Sequence, residues 1–193
     1  MSLDDQLRWD LKHSESRHMP PPSRFLREII EGGYWDIPRG QALDVACGKG
    51  ANALYLAEHG FEVLAMEISP AALSEARRHA DERNLKISWE QADLEHAQLP
   101  LSQFDLVVDI NYLQRSLIAQ IKTALKTGGH VVFETFFLDQ QTIGHPNNPD
   151  YLLAHNELLA HFHDFRILHY REGKFFEGAE ASFRAGLLAQ KIQ

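Results

Sequence analysis

The sequence Leu43-Asp44-Val45-Ala46-Cys47-Gly48-Lys49-Gly50 decides the fold of this chain. Residues 42–46 are typical of a short buried strand, the glycines form a tight loop, and residues 51–59 have the apolar spacing of a helix. Glycine lets a ligand approach the backbone closely, and the N-terminus of the following helix offers unpaired amide groups. The stretch therefore predicts a strand–loop–helix unit that binds a ligand at its loop.

Strands and helices continue to alternate after this unit. Ser69-Pro70 predicts the start of a helix that runs to about residue 83, because serine is a good N-cap and proline suits the first helical position. Strands joined by helices form a parallel sheet with right-handed crossovers. Short apolar runs between turn residues predict the further strands, at residues 61–66, 87–90, 104–110 and 131–137, and a helix at residues 116–125.

The two ends of the chain depart from this alternation. A helix is expected after Ser23, and residues 138–153 form a long connection rich in proline and asparagine, followed by a helix at 157–162. Residues 166–170 and 182–191 are predicted strands, and we pair them antiparallel because their link is too short for a crossover. The predicted fold class is α/β: a Rossmann-like sandwich with a mostly parallel seven-stranded sheet and a C-terminal antiparallel hairpin.

Length and composition indicate one globular domain. The chain has 193 residues, of which 44% are apolar and 24% are charged, and these values are ordinary for a folded domain. We expect a single domain over residues 1–193, divided into an N-terminal helical or lid segment at 1–38, a cofactor-binding core at 40–137 and a substrate-side region at 138–193. Trp9 in the first segment is compatible with a lid or with a simple anchor.

Charge and cysteine content exclude several classes of function. The net charge is −8, from 19 basic and 27 acidic residues, which disfavours a nucleic-acid partner. Cys47 is the only cysteine, so neither an intramolecular disulfide nor a zinc site built from several cysteines is possible. An acidic N-terminus and the lack of any run of ~20 apolar residues argue against a signal peptide and a membrane span. We therefore expect a cytoplasmic protein, with its oligomeric state left open.

The glycine loop and an acid at the end of the next strand point to a cofactor that carries a nucleoside. Glu67 comes nineteen residues after Gly48, where a carboxylate can accept both hydroxyls of a ribose. The loop also matches G-x-G-x-x-A, so a nicotinamide oxidoreductase is a rival interpretation. Asp44 argues against it, because a carboxylate in the first strand would repel a pyrophosphate and attract a cationic ligand such as S-adenosylmethionine.

These motifs resemble those of class I S-adenosylmethionine-dependent methyltransferases, and within them small single-domain enzymes of the tellurite-resistance and thiopurine-methyltransferase type. The similarity covers roughly residues 40 to 137. It is carried, beyond the glycine loop, by Val63-Leu64-Ala65-Met66-Glu67-Ile68-Ser69-Pro70, Gln91-Ala92-Asp93-Leu94, Phe104-Asp105-Leu106-Val107-Val108 and Leu125-Lys126-Thr127-Gly128-Gly129-His130-Val131-Val132.

The resemblance implies how the cofactor would be held. Asp44 would face the amino end of its methionine part, Glu67 would bind the ribose hydroxyls, and Asp93 would accept a hydrogen bond from the adenine amino group. The remaining contacts would come from Ala46, Cys47, Gly48, Gly50, Ile68, Leu94 and Asn111. Cys47 is interpreted as a small apolar residue and not as a nucleophile.

The implied reaction is an in-line SN2 transfer of the methyl group to a small-molecule acceptor. A thiol, selenol or metalloid acceptor needs no general base, whereas an oxygen or nitrogen acceptor more often does. The candidates for such a base are Tyr112, Glu134 and His145, while Arg115 is compatible with acceptor binding or with packing.

Three other interpretations remain open: a protein that binds the cofactor without turnover, a protein-modifying methyltransferase, and the nicotinamide oxidoreductase. No metal site is expected, because the spacing of His155, His161 and His163 does not line one helical face.

Overall fold

The computed structural model describes residues 7, 9–11, 18–177 and 180–193. Seven strands form one sheet in the order β3-β2-β1-β4-β5-β7-β6, in which β1 to β5 are parallel and β7 lies antiparallel between β5 and β6. The predicted fold class is therefore confirmed. The strands are β1 (Gln41–Val45), β2 (Glu62–Glu67), β3 (Ile87–Gln91), β4 (Phe104–Ile110), β5 (Leu125–Phe136), β6 (Arg166–Glu177) and β7 (Glu180–Gln190).

Helices cover both faces of the sheet. The first three helices contribute Phe25, Leu56 and Leu73 to one apolar cluster, and the last two contribute Ile121 and Leu158 to the cluster on the other face. Burial of these side chains is the main force that holds the layers together. The helices are α1 (Arg24–Glu31), α2 (Ala51–Glu58), α3 (Pro70–Glu82), α4 (Arg115–Ala124) and α5 (Glu157–His161).

The two serines that were predicted as helix caps act as caps. The hydroxyl oxygen of Ser23 accepts a hydrogen bond from the Leu26 amide at 3.3 Å, and that of Ser69 accepts one from the Ala72 amide at 3.1 Å. Each cap satisfies one of the amides that a helix leaves unpaired at its start. Among the residues that the structure describes, no helix has the length and apolar character needed to cross a membrane.

The predicted start of the fifth strand at residue 131, after Gly128-Gly129, is wrong. Strand β5 begins at Leu125, directly after α4, and the glycines lie inside it. Its pairing with β4 shifts register between Phe104 and Leu106, and a Cβ at Gly129 would lie 3.0 Å from the Phe104 carbonyl oxygen. The glycines thus allow an irregularity within a strand and do not end a helix.

The C-terminal hairpin is longer than the sequence predicted. Strands β6 and β7 pair all the way from Arg166–Gln190 to Glu177–Glu180, because an edge hairpin tolerates polar residues on both faces. The predicted loop at 138–153 also contains two short 3-10 helices, Leu138–Thr142 and Pro149–Tyr151.

Candidate functional site

The carboxyl ends of β1, β2 and β4 meet at one edge of the sheet. Asp44 lies one residue before the end of β1, Glu67 ends β2, and Asn111 follows β4. Open α/β sheets bind ligands at this edge where the strand order reverses, and here the reversal lies between β1 and β4. We call this region the carboxyl edge.

The loop between β1 and α2 has a backbone shape that glycine permits. Gly48 and Gly50 have φ of 53° and 80°, and Ala46 has φ of 51°, all in the left-handed region. A Cβ at Gly50 would lie only 2.7 Å from the ring of Trp89. The loop is also tied to β2, because the Cys47 amide donates to the Met66 carbonyl at 3.0 Å.

Glu67 connects the end of β2 to this loop. One carboxylate oxygen accepts from the Gly48 amide and the other from the Ser69 amide, each at 2.9 Å. Burial raises the pKa of Glu67, and these amide donors oppose that rise. Each oxygen has a second lone pair, so the carboxylate can still accept two hydroxyl groups.

Asp44 is buried under the loop with incomplete hydrogen bonding. Its side chain is 1% exposed, and its Oδ2 atom has no hydrogen-bond partner. Burial raises the pKa of Asp44 to about 8, with the Ala53 amide opposing and Glu67 adding to the rise. Burial likewise raises the pKa of the Cys47 thiol well above its usual value, which fits a small buried side chain and not a thiolate nucleophile.

The residues predicted to surround an adenine follow β2 and β3. Ile68 is buried, Leu94 is buried in the core, and the half-buried Asp93 accepts from the Glu95 amide and from His96, each at 3.0 Å. The Leu94 side chain belongs to the core. The Ala92 amide donates to the Glu67 carbonyl at 3.0 Å, which places this segment beside the end of β2.

Asn111 lies at the end of β4 in a left-handed conformation, with φ of 63°. Its amide donates to the Glu134 carbonyl at 2.8 Å, and its side-chain oxygen accepts from Arg184 at 2.6 Å. The exposed Asn111 therefore joins the carboxyl edge to the hairpin strand β7.

The three candidate bases lie in different environments. Glu134 is buried and pairs with Arg171 at 2.7 Å and Arg184 at 3.9 Å, so its carboxylate oxygens are engaged by two guanidinium groups. His145 is exposed in the loop after β5, and Tyr112 is half-buried against the core.

The sequence analysis missed the two hairpin arginines. Arg171 lies between the rings of Phe25 and Phe175, at 4.3 and 4.5 Å, and Arg184 lies 4.2 Å from the ring of Phe136. Their partner Glu134 is distant in sequence, so no local pattern could have predicted this cluster. The alternation of side chains along β7 could have assigned Arg184 to one face of the sheet, but it does not identify Glu134 as its partner.

Asp10 and Asp109 were also missed. Asp109 is a fully buried acid near the end of β4, and Asp10 accepts hydrogen bonds from the Ser69 hydroxyl at 2.5 Å and the Ala71 amide at 3.3 Å. The segment at 9–11 therefore contacts the start of α3 beside Glu67. Of the predicted helical or lid segment at 1–38, residues 1–6, 8 and 12–17 lie outside the described residues.

Arg115 contacts the loop at 138–153. It forms two hydrogen bonds with the Glu157 carboxylate, at 2.7 and 3.0 Å, and donates to the carbonyl oxygens of Asp150 and Leu152. This geometry supports the packing interpretation of Arg115, because its contacts join α4 to the loop and to the first residue of α5.

The predicted histidines do not converge. His155 pairs with Asp139 at 2.9 Å, His161 with Glu157 at 3.2 Å, and His163 contacts the Ala160 carbonyl. Among the described residues, one group of potential ligand atoms lies within 4.8 Å, formed by Asp93, Glu95 and His96. These are surface groups with ordinary hydrogen bonds, and we assign no metal to them.

Comparison with known proteins agrees with this geometry. Residues 42–129 match the family described as "Methyltransferase domain". A ubiquinone biosynthesis O-methyltransferase of Acinetobacter baylyi is 31% identical over 134 residues, which cover 66% of this chain and 56% of that protein. The chain thus spans little more than half the length of this relative. The match confirms the predicted resemblance: residues 42–129 are similar to a methyltransferase domain.

Two solved structures share the fold. TehB from Haemophilus influenzae superposes with a TM-score of 0.75 and 21% identity, over 95% of this chain and 67% of that one. The [4+2]-cyclase SpnF superposes with a TM-score of 0.71 and 16% identity, over 97% and 95%. Likeness at this level of identity concerns the fold and leaves the reaction to the site.

Proposed function

We propose that this chain binds S-adenosylmethionine at its carboxyl edge and uses it to methylate a small-molecule acceptor. The observation that carries the proposal is the contact between Glu67 and the Gly48 amide at 2.9 Å. It joins a ribose-binding carboxylate to the glycine loop in one rigid site. A nicotinamide cofactor is disfavoured, because a diphosphate at the glycine loop would repel a carboxylate at Asp44.

The residues at the carboxyl edge fit this cofactor. Glu67 has lone pairs left for two ribose hydroxyls, and the unpartnered Asp44 Oδ2 lies in a region that a cationic ligand would stabilise. Asp93 would accept from the adenine amino group, with Ile68 and Leu94 beside it. Methionine contacts would come from Ala46, Cys47, Gly48, Gly50 and Asn111.

When bound, S-adenosylmethionine supplies a methyl group activated by its sulfonium. The chain's own contribution is then to align the acceptor with that group and to exclude water. We assign binding of the cofactor to the core at 40–137 and binding of the acceptor to the region at 138–193. Residues 9–11 of the N-terminal segment would lie beside the cofactor, because Asp10 contacts Ser69.

The state of the candidate bases supports an acceptor that needs no proton removal by the enzyme. Glu134 is paired with two arginines and His145 is exposed, so a thiol, selenol or metalloid would suit the site. The O-methyltransferase relatives support the alternative of an oxygen acceptor, for which Tyr112 remains the candidate base. A small molecule also agrees with the net charge of −8, which disfavours nucleic acid.

Two measurements test the proposal. Calorimetric titration should show binding of S-adenosylmethionine and S-adenosylhomocysteine but not of NAD(H), and binding of NAD(H) alone would contradict it. Release of S-adenosylhomocysteine should then be followed with thiol, selenol, metalloid and phenol acceptors. Turnover with thiols but not phenols would support the unassisted mechanism, and turnover with phenols alone would favour a base.

Because a cyclase has the same fold, we also consider a second candidate function, in which the chain does not methylate a small molecule. If S-adenosylmethionine binds but no acceptor in the panel causes turnover, the chain is a cofactor-binding protein or modifies a protein partner. Incubation with labelled cofactor and a protein extract separates these two, because only a protein-modifying enzyme labels polypeptide.

A further inference from the structure

Arginines outnumber acids in an ion-pair network that joins α1 to the C-terminal hairpin. Glu134 pairs with Arg171 at 2.7 Å and lies 3.9 Å from Arg184. Glu28 of α1 pairs with Arg171 at 2.8 Å and with Arg24 at 2.7 Å. Within the described part of the chain, three guanidinium groups thus share two carboxylates. The network therefore has a surplus of positive charge, although the whole chain has a net charge of −8.

The strand register places Arg184 at the carboxyl edge. Glu134, near the end of β5, lies opposite Ile110, the last residue of β4. Arg184 lies opposite Phe136, two residues beyond Glu134. Paired residues, and residues two apart on a strand, point to the same face of a sheet. Arg184 and Glu134 are therefore on one face, and Arg184 reaches Asn111 at the end of β4.

Arg184 has no carboxylate within hydrogen-bond distance among the described residues. Its side chain is only 13% exposed. Its Nε donates to the Ser182 hydroxyl at 3.0 Å and its Nη1 donates to the Asn111 side-chain oxygen at 2.6 Å, and both of these acceptors are neutral. The distance of 3.9 Å to Glu134 exceeds that of a hydrogen bond. A largely buried cation with neutral partners is stabilised by a further anion.

Arg184 also has N–H groups left to bind such an anion. Among the described residues, no acceptor forms a hydrogen bond with its Nη2 atom, and this atom is not sealed from solvent. The Phe136 ring, at 4.2 Å from Cζ, covers one face of the guanidinium and leaves its edge open. The edge of a planar guanidinium matches the two oxygens of a carboxylate.

We propose that Arg184 binds the carboxylate of an acidic small-molecule acceptor beside the methyl-transfer end of the cofactor. The position follows from Asn111, which we assign to the methionine part of the cofactor and which accepts from Arg184 at 2.6 Å. This inference rests on the proposed function and specifies the chemical class of the acceptor. An anionic acceptor also suits the reaction, because the sulfonium attracts it.

Aromatic rings beside the arginines guide the choice of a probe. Phe136 lies 4.2 Å from Arg184, and Phe175 lies 4.5 Å from Arg171. Both rings are half-buried, so each leaves apolar surface next to a cation. An aromatic carboxylate can contact such a ring while its charged group binds the guanidinium. Benzoate is therefore the probe, and benzamide is its neutral counterpart of the same shape.

Calorimetry measures whether the site requires a negative charge. Benzoate and benzamide are each titrated into the protein saturated with S-adenosylhomocysteine. We expect the Kd of benzoate to be lower than that of benzamide by about tenfold or more, because hydrogen bonds to charged groups are the stronger ones. Equal affinities, or no binding of benzoate, would overturn the inference.

Variants assign the preference for benzoate to Arg184. Arg184→Gln should remove it, whereas Arg184→Lys, which keeps the charge but not the planar fork, should retain part of it. The matched control is Arg83→Gln, because the exposed Arg83 pairs only with Glu58 on a distant surface, at 2.9 Å; it should leave the preference unchanged. A purely structural role of Arg184 would weaken both probes equally, so a preference that persists in Arg184→Gln would overturn the assignment.

The comparison of the two probes in the wild-type protein does not depend on the variants folding. It also separates this inference from the proposed function. Binding of S-adenosylhomocysteine without any preference for benzoate would overturn the acidic acceptor and leave the proposed function intact. Failure to bind S-adenosylhomocysteine at all would instead overturn the proposed function.

Discussion

Replacing Asp44 by asparagine should make the protein more stable at neutral pH. Burial raises the pKa of Asp44 from 3.8 to about 8. The folded-state pKa lies above the unfolded one, so between these two values the folded protein keeps a proton that the unfolded chain loses. The contribution of the neutral carboxyl to the free energy of unfolding is therefore fully present below pH 4 and is lost as the pH rises to 8. Each pKa unit corresponds to 1.36 kcal/mol, so the loss between pH 5 and pH 7 is about 3 kcal/mol. Asparagine has no such loss.

The assay is urea denaturation of the cofactor-free protein at pH 5 and pH 7. We expect the free energy of unfolding of Asp44→Asn, relative to wild type, to rise by about 3 kcal/mol between the two pH values. The same comparison with Asp81→Asn, which alters an exposed side chain, should show no change. A relative stability that stays constant with pH would mean that Asp44 is already ionised in the folded protein, and the reasoning would be refuted.

Three further changes probe the loop, the ribose carboxylate and the substrate-side loop. Glu67→Ala should weaken S-adenosylmethionine binding by more than about tenfold in calorimetry, because hydrogen bonds to a charged group are lost; unchanged binding would exclude its ribose role. Gly50→Ala should lower the melting temperature more than Gly60→Ala, since both positions have positive φ but only Gly50 also meets the Trp89 ring; equal effects would show that strain alone matters. Arg115→Ala should reduce stability by about 1 to 3 kcal/mol in urea denaturation and leave cofactor affinity unchanged; weaker cofactor binding would contradict its assignment to loop packing.

The glycine loop and its flanking elements could be predicted because their signals are local. A buried strand, a left-handed turn and a helix start each depend on a few adjacent residues, and Gly48, Gly50 and Ser69 carry them. The position of Glu67 followed from the same rule, since neighbouring parallel strands end at one edge. The family resemblance depends on these local features and on no tertiary contact.

The strand boundaries that were predicted wrongly depend on the residues with which each strand pairs. Leu125 becomes the first residue of β5 because it pairs with Phe104 across a register shift. Strand β6 continues to Glu177 because β7 lies beside it. Nothing in either segment alone distinguishes a paired strand from a polar turn, because the hydrogen bonds that define it come from residues elsewhere in the chain.

By itself, the sequence determined the alternation of strands and helices and the type of ligand that the loop can hold, because backbone preferences act over short distances. Only the tertiary structure decided the ionic state of the site. It brought Arg171 to Glu134 at 2.7 Å and buried Asp44 and Asp109 away from water. Charge states follow from burial and from neighbours distant in sequence, and these arise only when the sheet is assembled.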